Sequence, residues 1–503
     1  MCKKNQEANL GGSEPRLPYV PLSDQDVKQI HATSMTVLEE VGFEVREPEA
    51  FELFKKTGAT VDEKRRVVRL NEKTVRDLIS SVPPQVTLYG KEEKHNLILG
   101  CGNVYFGTGG TALNILDYDS NQRRPARLKD LIDIVRIVDQ LENIHFMLLP
   151  TYPNELPVND IDINRFLAGL CFTSKHVMGG VYTRDGINDV IEMAEKIAGS
   201  PEALRKRPIL SMIACGISPL RLDQKYGAFI IHLARKSIPI AVPVEPLCGA
   251  TAPASLAGTL VIQNCDGLIH IMLSQLANPG APVIYGSVAT SINFQDMSYL
   301  GAPVESGLLN AATAQLAQFY KFPYYSTAGI SDSKILDAQC GYETAVNNLL
   351  VALAGGDLIH DAAGLMEFAL TVSKEKLVID NDILGMVYRA YRGIKVNKDT
   401  LALETIRSAG PGGNFVAQRH TRNHMHKEHY HPPLSNREKR EIWLQDGGKS
   451  IAEKANEKVN ELISQPSRFY IDQKLIGSLV QSFPKIRAEH FLGENNMRER
   501  GVK

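Results

Sequence analysis

Tyrosine, histidine and carboxylate side chains recur where short β-branched runs give way to helical stretches. Tyr105, Phe106 and Thr108 lie in the first such run, Tyr152 closes the second and Tyr182 the third; Glu245 closes the fifth. Tyr285 and Ser287 lie in the sixth, Tyr325 and Asp332 in the seventh, and His360 and Asp361 in the eighth. One tyrosine in such a place is ordinarily core packing with its hydroxyl satisfied. The set says more than its members. Between Ser237 and Tyr320 there is no Lys or Arg, and the charged residues are Glu245, Asp266, Asp296 and Glu305. Aromatic faces beside a carboxylate in a low-dielectric pocket suit a cation, above all an alkylated ammonium that cannot donate a hydrogen bond. A second reading, compatible with the first, is that this half of the chain lacks bases because it packs on another copy of itself.

The elements that must position these residues are legible. Eight apolar runs at 103–110, 145–153, 176–183, 208–219, 238–246, 282–290, 323–333 and 357–365 alternate with helical segments at 128–141, 161–174, 186–198, 222–236, 254–262, 304–319, 342–353 and 380–394. Strict alternation argues a parallel sheet, and eight units close a (β/α)8 TIM barrel. An open doubly wound sheet is the alternative. It calls for GxGxxG after its first strand, which Gly107-Thr108-Gly109-Gly110 does not match. In a barrel, function sits where strands end, which makes the residues above a candidate site.

Before the barrel, residues 1–22 read as a frayed polar arm and 23–102 as a small α+β cap. Ser23 caps a helix that Gly42 ends, helices follow at 47–56 and 71–81, and 66–70 is strand-like. The barrel takes 103–410. Residues 411–503 form a helical extension, with charged helices at 436–446 and 451–464. Five of the thirteen histidines (His420, His424, His426, His429, His431) crowd its start. Arg419, Arg422 and Lys427 among them oppose a dication, so no metal is expected there; a basic loop touching an anionic cofactor or partner is preferred.

Composition narrows the classes. The chain has 503 residues, 43% hydrophobic and 22% charged, with a net charge of −1. That is a globular composition without the footprint of a nucleic-acid binder. The long uncharged runs 246–265 and 267–295 contain Gly, Ser, Asn or Pro and read as buried core, with no membrane span. The N-terminus shows no signal peptide. Seven cysteines without a CxxC pair suggest reduced thiols and a cytoplasmic protein.

The stretch Asn103-Val104-Tyr105-Phe106-Gly107-Thr108-Gly109-Gly110-Thr111-Ala112 resembles the trimethylamine methyltransferase superfamily. So do Ser331-Asp332-Ser333-Lys334 with Asp337, Gln339, Gly341, Tyr342 and Glu343 behind it, and His420-Thr421-Arg422. The opening Gln29-Ile30-His31 helix followed by Leu38-Glu39-Glu40-Val41-Gly42 is similar too, so the likeness runs from about residue 25 to about 465. The resemblance implies a (β/α)8 barrel that passes a methyl group from an amine to the Co(I) of a corrinoid (cobalamin) carried by a cognate partner protein. Archaeal trimethylamine enzymes of the family carry an in-frame pyrrolysine. This chain spells the corresponding region with ordinary residues, including Lys334, Gln339 and Cys340, and so is similar to the branch that demethylates quaternary amines such as glycine betaine, proline betaine or carnitine.

On that resemblance a cage of Tyr105, Phe106, Tyr152, Tyr182, Tyr285 and Phe368 holds the ammonium. His360 orients a substrate carboxylate, with Glu245 and Asp332 as further catalytic candidates. Gly109, Gly110, Ser287 and Arg422 are the candidates facing the corrinoid, and the Arg419–His431 segment is expected to form part of the partner's dock. A homo-oligomer is expected. Two other functions fit the same residues: a zinc-dependent methanol or thiol methyltransferase using Cys215, Cys248 and His360, and a non-catalytic betaine-binding protein.

Overall fold

The computed structural model describes residues 19–492. The arm expected at 1–22 therefore lies, up to residue 18, outside the described residues, as does the end of the extension beyond 492. Eight parallel strands close into a barrel in chain order: β1 (Tyr105–Thr108), β2 (Phe146–Leu148), β3 (His176–Gly180), β4 (Leu210–Ile213), β5 (Ile240–Val244), β6 (Val283–Ser287), β7 (Tyr324–Thr327) and β8 (Leu358–Ala363). β8 pairs β1 in register Leu358↔Tyr105, and β1 pairs β2 through Gly107↔Phe146, which closes the ring. Each strand falls inside one of the eight apolar runs.

The helices that follow them are α1 (Leu128–Asp139), α2 (Val158–Phe172), α3 (Arg184–Ala198), α4 (Gln224–Lys236), α5 (Leu256–Ala277), α6 (Val304–Tyr320), α7 (Ala338–Leu353) and α8 (Lys374–Tyr391). Several start on side-chain caps: Thr183 accepts the Gly186 N–H, Asp223 those of Lys225 and Tyr226, and Asp337 that of Cys340. Such caps satisfy N–H groups that the first helical turn cannot. α5 is far longer than expected, because buried Gln263, Asn264, Asp266 and His270 interrupt its apolar pattern without breaking the helix. It is long and apolar enough to cross a membrane, yet it is 72% buried within the helix layer of the barrel.

Two cores result. Inside the barrel, Phe146, Leu148, Met178, Ala241, Ile284, Tyr325 and Leu358 meet Val86, Leu88, Leu97 and Leu99. These last four belong to an antiparallel hairpin that plugs the end where the strands begin. The larger core lies between strands and helices.

The cap is not independent of the barrel. Its strand Phe43–Val45 pairs in parallel with Arg221–Leu222 from the loop between β4 and α4, and Arg221 Nε donates to Glu44 at 2.7 Å. The helix expected from Ser23 forms as Asp24–Thr36 with a complete capping box. At the other end of the chain, Ile451–Ser464 lies against α8 and α1, and Arg136 donates to the carbonyl of Ile463. Residues 485–491 return to α2 and α3, where Lys485 pairs with Asp189 and Arg487 with Asp160. Among the described residues five cysteines are free: 171, 215, 248, 265 and 340. Cys101 is in a disulfide, which departs from the expectation of reduced thiols throughout.

Candidate active site

Alternation along each strand decides which side chains reach the lumen. On β6, Ile284 lies in the inner core, so Val283, Tyr285 and Ser287 face the helices. Tyr285 donates to Asn264 on α5 at 3.2 Å, and Ser287 accepts the Ala289 N–H at 3.3 Å. Phe106 also faces outward, against His145 and Tyr388. Tyr105 faces inward but opens β1, and its hydroxyl accepts the Ile98 N–H at 3.2 Å beside the plugging hairpin. The structure therefore does not bring Tyr105, Phe106, Tyr285 or Ser287 to the mouth. Every one of these strands is apolar on both faces, which hides the alternation from the sequence.

At the mouth, β8 delivers two polar residues in succession. His360 takes the inward position, and Asp361, at φ 55°, breaks the alternation so that its carboxylate turns to the same end. Asp361 accepts the Gly110 N–H at 2.8 Å on one oxygen and the Thr327 hydroxyl at 2.8 Å on the other. A side chain at Gly109 would strike Leu365 and that carboxylate, which is why small residues follow β1. His360 stacks on Tyr325 with ring centroids 4.1 Å apart. Its Nδ1 lies 2.6 Å from the Ser326 carbonyl, to which only an N–H can donate, and its Nε2 faces Asp361 at 3.0 Å. Both ring nitrogens are thus engaged, leaving no free N–H for a substrate carboxylate.

Glu245, half-buried at the end of β5, bonds Tyr299 from the loop before α6. Burial pushes its carboxyl up to about 7, and Asp361 adds to the rise, whereas Tyr299 and His360 oppose it. Burial, with Glu245 and Asp361 nearby, pushes the Cys215 thiol up to about 12. The donor atoms of Cys215, Cys248 and His360 do not gather within 4.8 Å of one another, and Cys248 donates to the Ala254 carbonyl at 3.1 Å. These three residues do not make a zinc centre in this geometry.

Just after β2 and β3, Tyr152 and Tyr182 meet edge to face at 5.1 Å. The Arg165 guanidinium sits 5.2 Å from the Tyr182 ring. Arg165 is wholly buried on α2 and donates to the carbonyls of Thr151, Leu149 and Gly180 and to the Thr111 hydroxyl. It holds the ends of β2 and β3 in place. The hydroxyls of Tyr182 and Tyr325 are buried without a hydrogen-bond partner. A buried phenol that lacks a partner costs free energy unless something arrives to meet it. The sequence marked Tyr182 as an aromatic face; the roles of Arg165, Tyr299 and the free hydroxyls carried no local signal.

Asp332 is at the mouth but acts on backbone. It accepts the N–H groups of Gly301 at 2.9 Å and Ala302 at 3.2 Å, pinning the loop that carries Tyr299. Phe368 lies beyond β8 under the Lys334 ammonium at 4.5 Å. It lines a groove of about 520 Å³ on the rim with Arg123, Glu367 and Leu370. Arg422 is elsewhere. Its helix, Arg419–Glu428, is held by Arg389 near the end of α8, and Tyr430 Oη lies 3.4 Å from Asn143, just before β2. This places the Arg419–His431 segment at the end where strands begin, opposite the mouth of its own barrel.

A closed parallel barrel with its carboxylates, histidine and unpartnered phenols gathered where the strands end has the layout of an enzyme that transforms a small molecule. The particular family follows from comparison with known proteins. This chain belongs to the trimethylamine methyltransferase (MTTB) family, whose model matches residues 4–489. It is 35% identical to the trimethylamine methyltransferase MttB of Desulfitobacterium hafniense, over 91% of this chain and 92% of that protein. It is 36% identical to MttB of Methanosarcina barkeri over 95% and 97% respectively. The glycine betaine methyltransferase of D. hafniense is 31% identical over 85% of this chain and 89% of its own length. Among solved structures, the monomethylamine methyltransferase MtmB of M. barkeri aligns with a TM-score of 0.47 at 13% identity, covering 92% of this chain and 98% of that one.

Proposed function

We propose that this methyltransferase takes a methyl group from a quaternary amine, glycine betaine or a related betaine, and passes it to the Co(I) of a corrinoid on a partner protein that docks over the barrel mouth. The observation that carries the reading is the Asp361 carboxylate, fixed by Gly110 and Thr327 and near enough to Glu245 to raise its carboxyl, at the end of the barrel where the Tyr152–Tyr182 pair also lies. Carboxylates and aromatic faces complement a permanent cation that has no N–H to offer. The region after β7 is spelled without pyrrolysine, in agreement with the quaternary branch.

The chemistry asks little of the protein beyond position. As the acceptor attacks the methyl carbon in line, the C–N electron pair stays on nitrogen, which departs as a neutral tertiary amine and needs no proton. Asp361, Glu245 and the tyrosine wall hold the nitrogen with one methyl toward the opening, a proximity contribution worth several kcal/mol, on the order of 7–11 at best. The unpartnered Tyr182 and Tyr325 hydroxyls are the donors for a betaine carboxylate. His360 acts through Asp361, whose orientation it sets.

The test offers the enzyme and a reduced corrinoid protein glycine betaine, proline betaine, carnitine and trimethylamine, and follows loss of the Co(I) absorbance. Methylation with a betaine supports the reading. Methylation with trimethylamine alone overturns the substrate class, and betaine binding without any methylation makes the chain a binding protein.

A further inference from the structure

At the far end of the molecule from the mouth, a second cluster of ligating side chains plays no part in the proposed reaction. His420 and His424 stand four residues apart on the helix Arg419–Glu428, a spacing that puts both on one face. Their rings stack with centroids 3.9 Å apart and an interplanar angle of 14°. Asp399, on the loop after α8, meets both. Its carboxylate lies 3.2 Å from His424 Nε2, and its carbonyl lies 3.1 Å from His420 Nε2. One ligand atom from each of the three side chains lies within 4.8 Å of the others.

We propose that Asp399, His420 and His424 form a binding site for a divalent transition metal of the zinc class. The tautomer is already set at one ligand. His424 Nδ1–H donates to the His420 carbonyl at 2.9 Å, which leaves the Nε2 lone pair facing Asp399. A second hydrogen bond of this kind is how proteins orient metal-binding imidazoles. The carboxylate is held as well, because Asp399 sits in a turn closed by Thr400 N–H to Asn397 Oδ1 and Asn397 N–H to Thr400 Oγ1, each at 2.9 Å.

The separation fits the ion. Metal–ligand bonds of about 2.0–2.2 Å at tetrahedral angles put neighbouring donor atoms about 3.3–3.6 Å apart. The His424–Asp399 pair is already near that distance. Two imidazoles and one carboxylate favour zinc, cobalt or nickel over magnesium or calcium, which prefer all-oxygen shells. Three protein ligands leave a fourth position for water.

The sequence weighs against a metal here because Arg419, Arg422 and Lys427 would repel it. The structure removes much of that objection. All three side chains are exposed, so water and salt screen them, and Arg422 lies about 200° round the helix from His420. A metal at this point would staple the 395–402 loop to the 419–428 helix, clasping between them a stretch that exposes Leu403, Ile406 and Val416.

The test uses the full chain without a histidine tag, stripped by chelator, dialysed and titrated with Zn(II) in a calorimeter and with Co(II) as an optical probe. One equivalent is expected to bind saturably, with visible Co(II) bands of imidazole and carboxylate ligation and no comparable response to Mg(II). His420→Ala and His424→Ala should each abolish it, and Asp399→Asn should weaken it at least tenfold. The triple variant H426A/H429A/H431A should keep it. Zinc should also slow tryptic cleavage at Arg407 and Arg419. Absence of saturable binding, survival of the site in an H420A/H424A double variant of unchanged circular dichroism, or its loss in the triple variant would each overturn the assignment.

Discussion

The Asp361 carboxylate accepts the Gly110 N–H at 2.8 Å and so ties the last strand of the barrel to the first at the mouth. The same group carries the negative charge proposed to meet the substrate cation, so structure and binding separate on substitution. Asp361→Asn keeps an oxygen for Gly110 and removes the charge. It should leave the melting temperature nearly unchanged while raising the KM for a quaternary amine at least tenfold. Asp361→Ala should in addition lose about 1–3 kcal/mol of stability, because the Gly110 N–H and the Thr327 hydroxyl are left without partners. A normal KM in the asparagine variant would remove Asp361 from the site.

The carboxylate of a betaine should be read by the phenols, not by the histidine. Both nitrogens of His360 are engaged by Ser326 and Asp361, whereas the Tyr182 and Tyr325 hydroxyls have no partner. Tyr182→Phe or Tyr325→Phe should weaken a carboxylated betaine by about 1–3 kcal/mol, as expected for a lost hydrogen bond to a charged group, and spare tetramethylammonium. His360→Ala should weaken both ligands alike, since its action passes through Asp361. A loss confined to the carboxylated ligand in His360→Ala would reverse these roles, and calorimetry with the two ligands decides.

Glu245 makes affinity depend on pH. Burial holds its carboxyl up to about 7, above the usual glutamate range, so the neutral form persists at pH 6 and the anion dominates at pH 8. Only the anion attracts the substrate. The KM for a quaternary amine should therefore fall as pH rises through about 7, and Glu245→Gln should flatten that limb of the profile. Linkage runs the other way for stability. The folded state keeps this proton to a higher pH than the unfolded chain, so its contribution declines from about 4.5 upward and is lost above about 7.

The barrel was legible in the sequence because eight apolar runs alternating with helical stretches leave few other folds. The first helix of the cap announced itself through Ser23, which caps it by accepting a backbone N–H; the helices within 71–81 and at 451–464 were legible as helical stretches, and in the structure Asn71 and Ser450 cap them. The site was half legible. Strand-end position groups Tyr152, Tyr182, Glu245 and His360 at one end of the barrel, and the structure places them there as candidates. The same rule misplaced Tyr285 and Ser287, because strands covered on both faces show no polar alternation to reveal which side is the lumen. Arg165 went unnoticed on α2, since a buried guanidinium is recognisable only by the carbonyls around it. The helix Arg419–Glu428 is polar all round, with no apolar stripe to mark it, so its sequence resembles a loop.

Asp332 should prove a positioning residue. Its carboxylate accepts the N–H groups of Gly301 and Ala302, and burial pushes it up to about 6. Asp332→Ala should cost about 1–3 kcal/mol by orphaning those donors. Hydrogen exchange should speed up over 293–302, the loop carrying Tyr299. Activity should fall through kcat as the loop loosens, with betaine affinity reduced much less. Exchange that stays slow over this loop would show that something other than Asp332 holds it.

A last prediction concerns a charge pair that the sequence kept hidden. Lys376 and Asp380, four residues apart on α8 and both buried, pair at 2.7 Å. Lys376 also donates to the Thr344 hydroxyl on α7 at 2.8 Å, and Asp380 accepts the Gly364 N–H from the loop after β8 at 2.8 Å. The pair thus joins two neighbouring helices to the strand that carries His360 and Asp361. Removing one partner leaves the other charge buried and uncompensated, which typically costs about 3–5 kcal/mol. Lys376→Met should lower stability by that order in urea titration. The double variant K376M/D380L should recover part of the loss, because no charge remains stranded, although Gly364 still lacks its acceptor. If the double variant were as unstable as the single one, the damage would come from lost packing and hydrogen bonds on α8, and the stranded carboxylate would not be its cause.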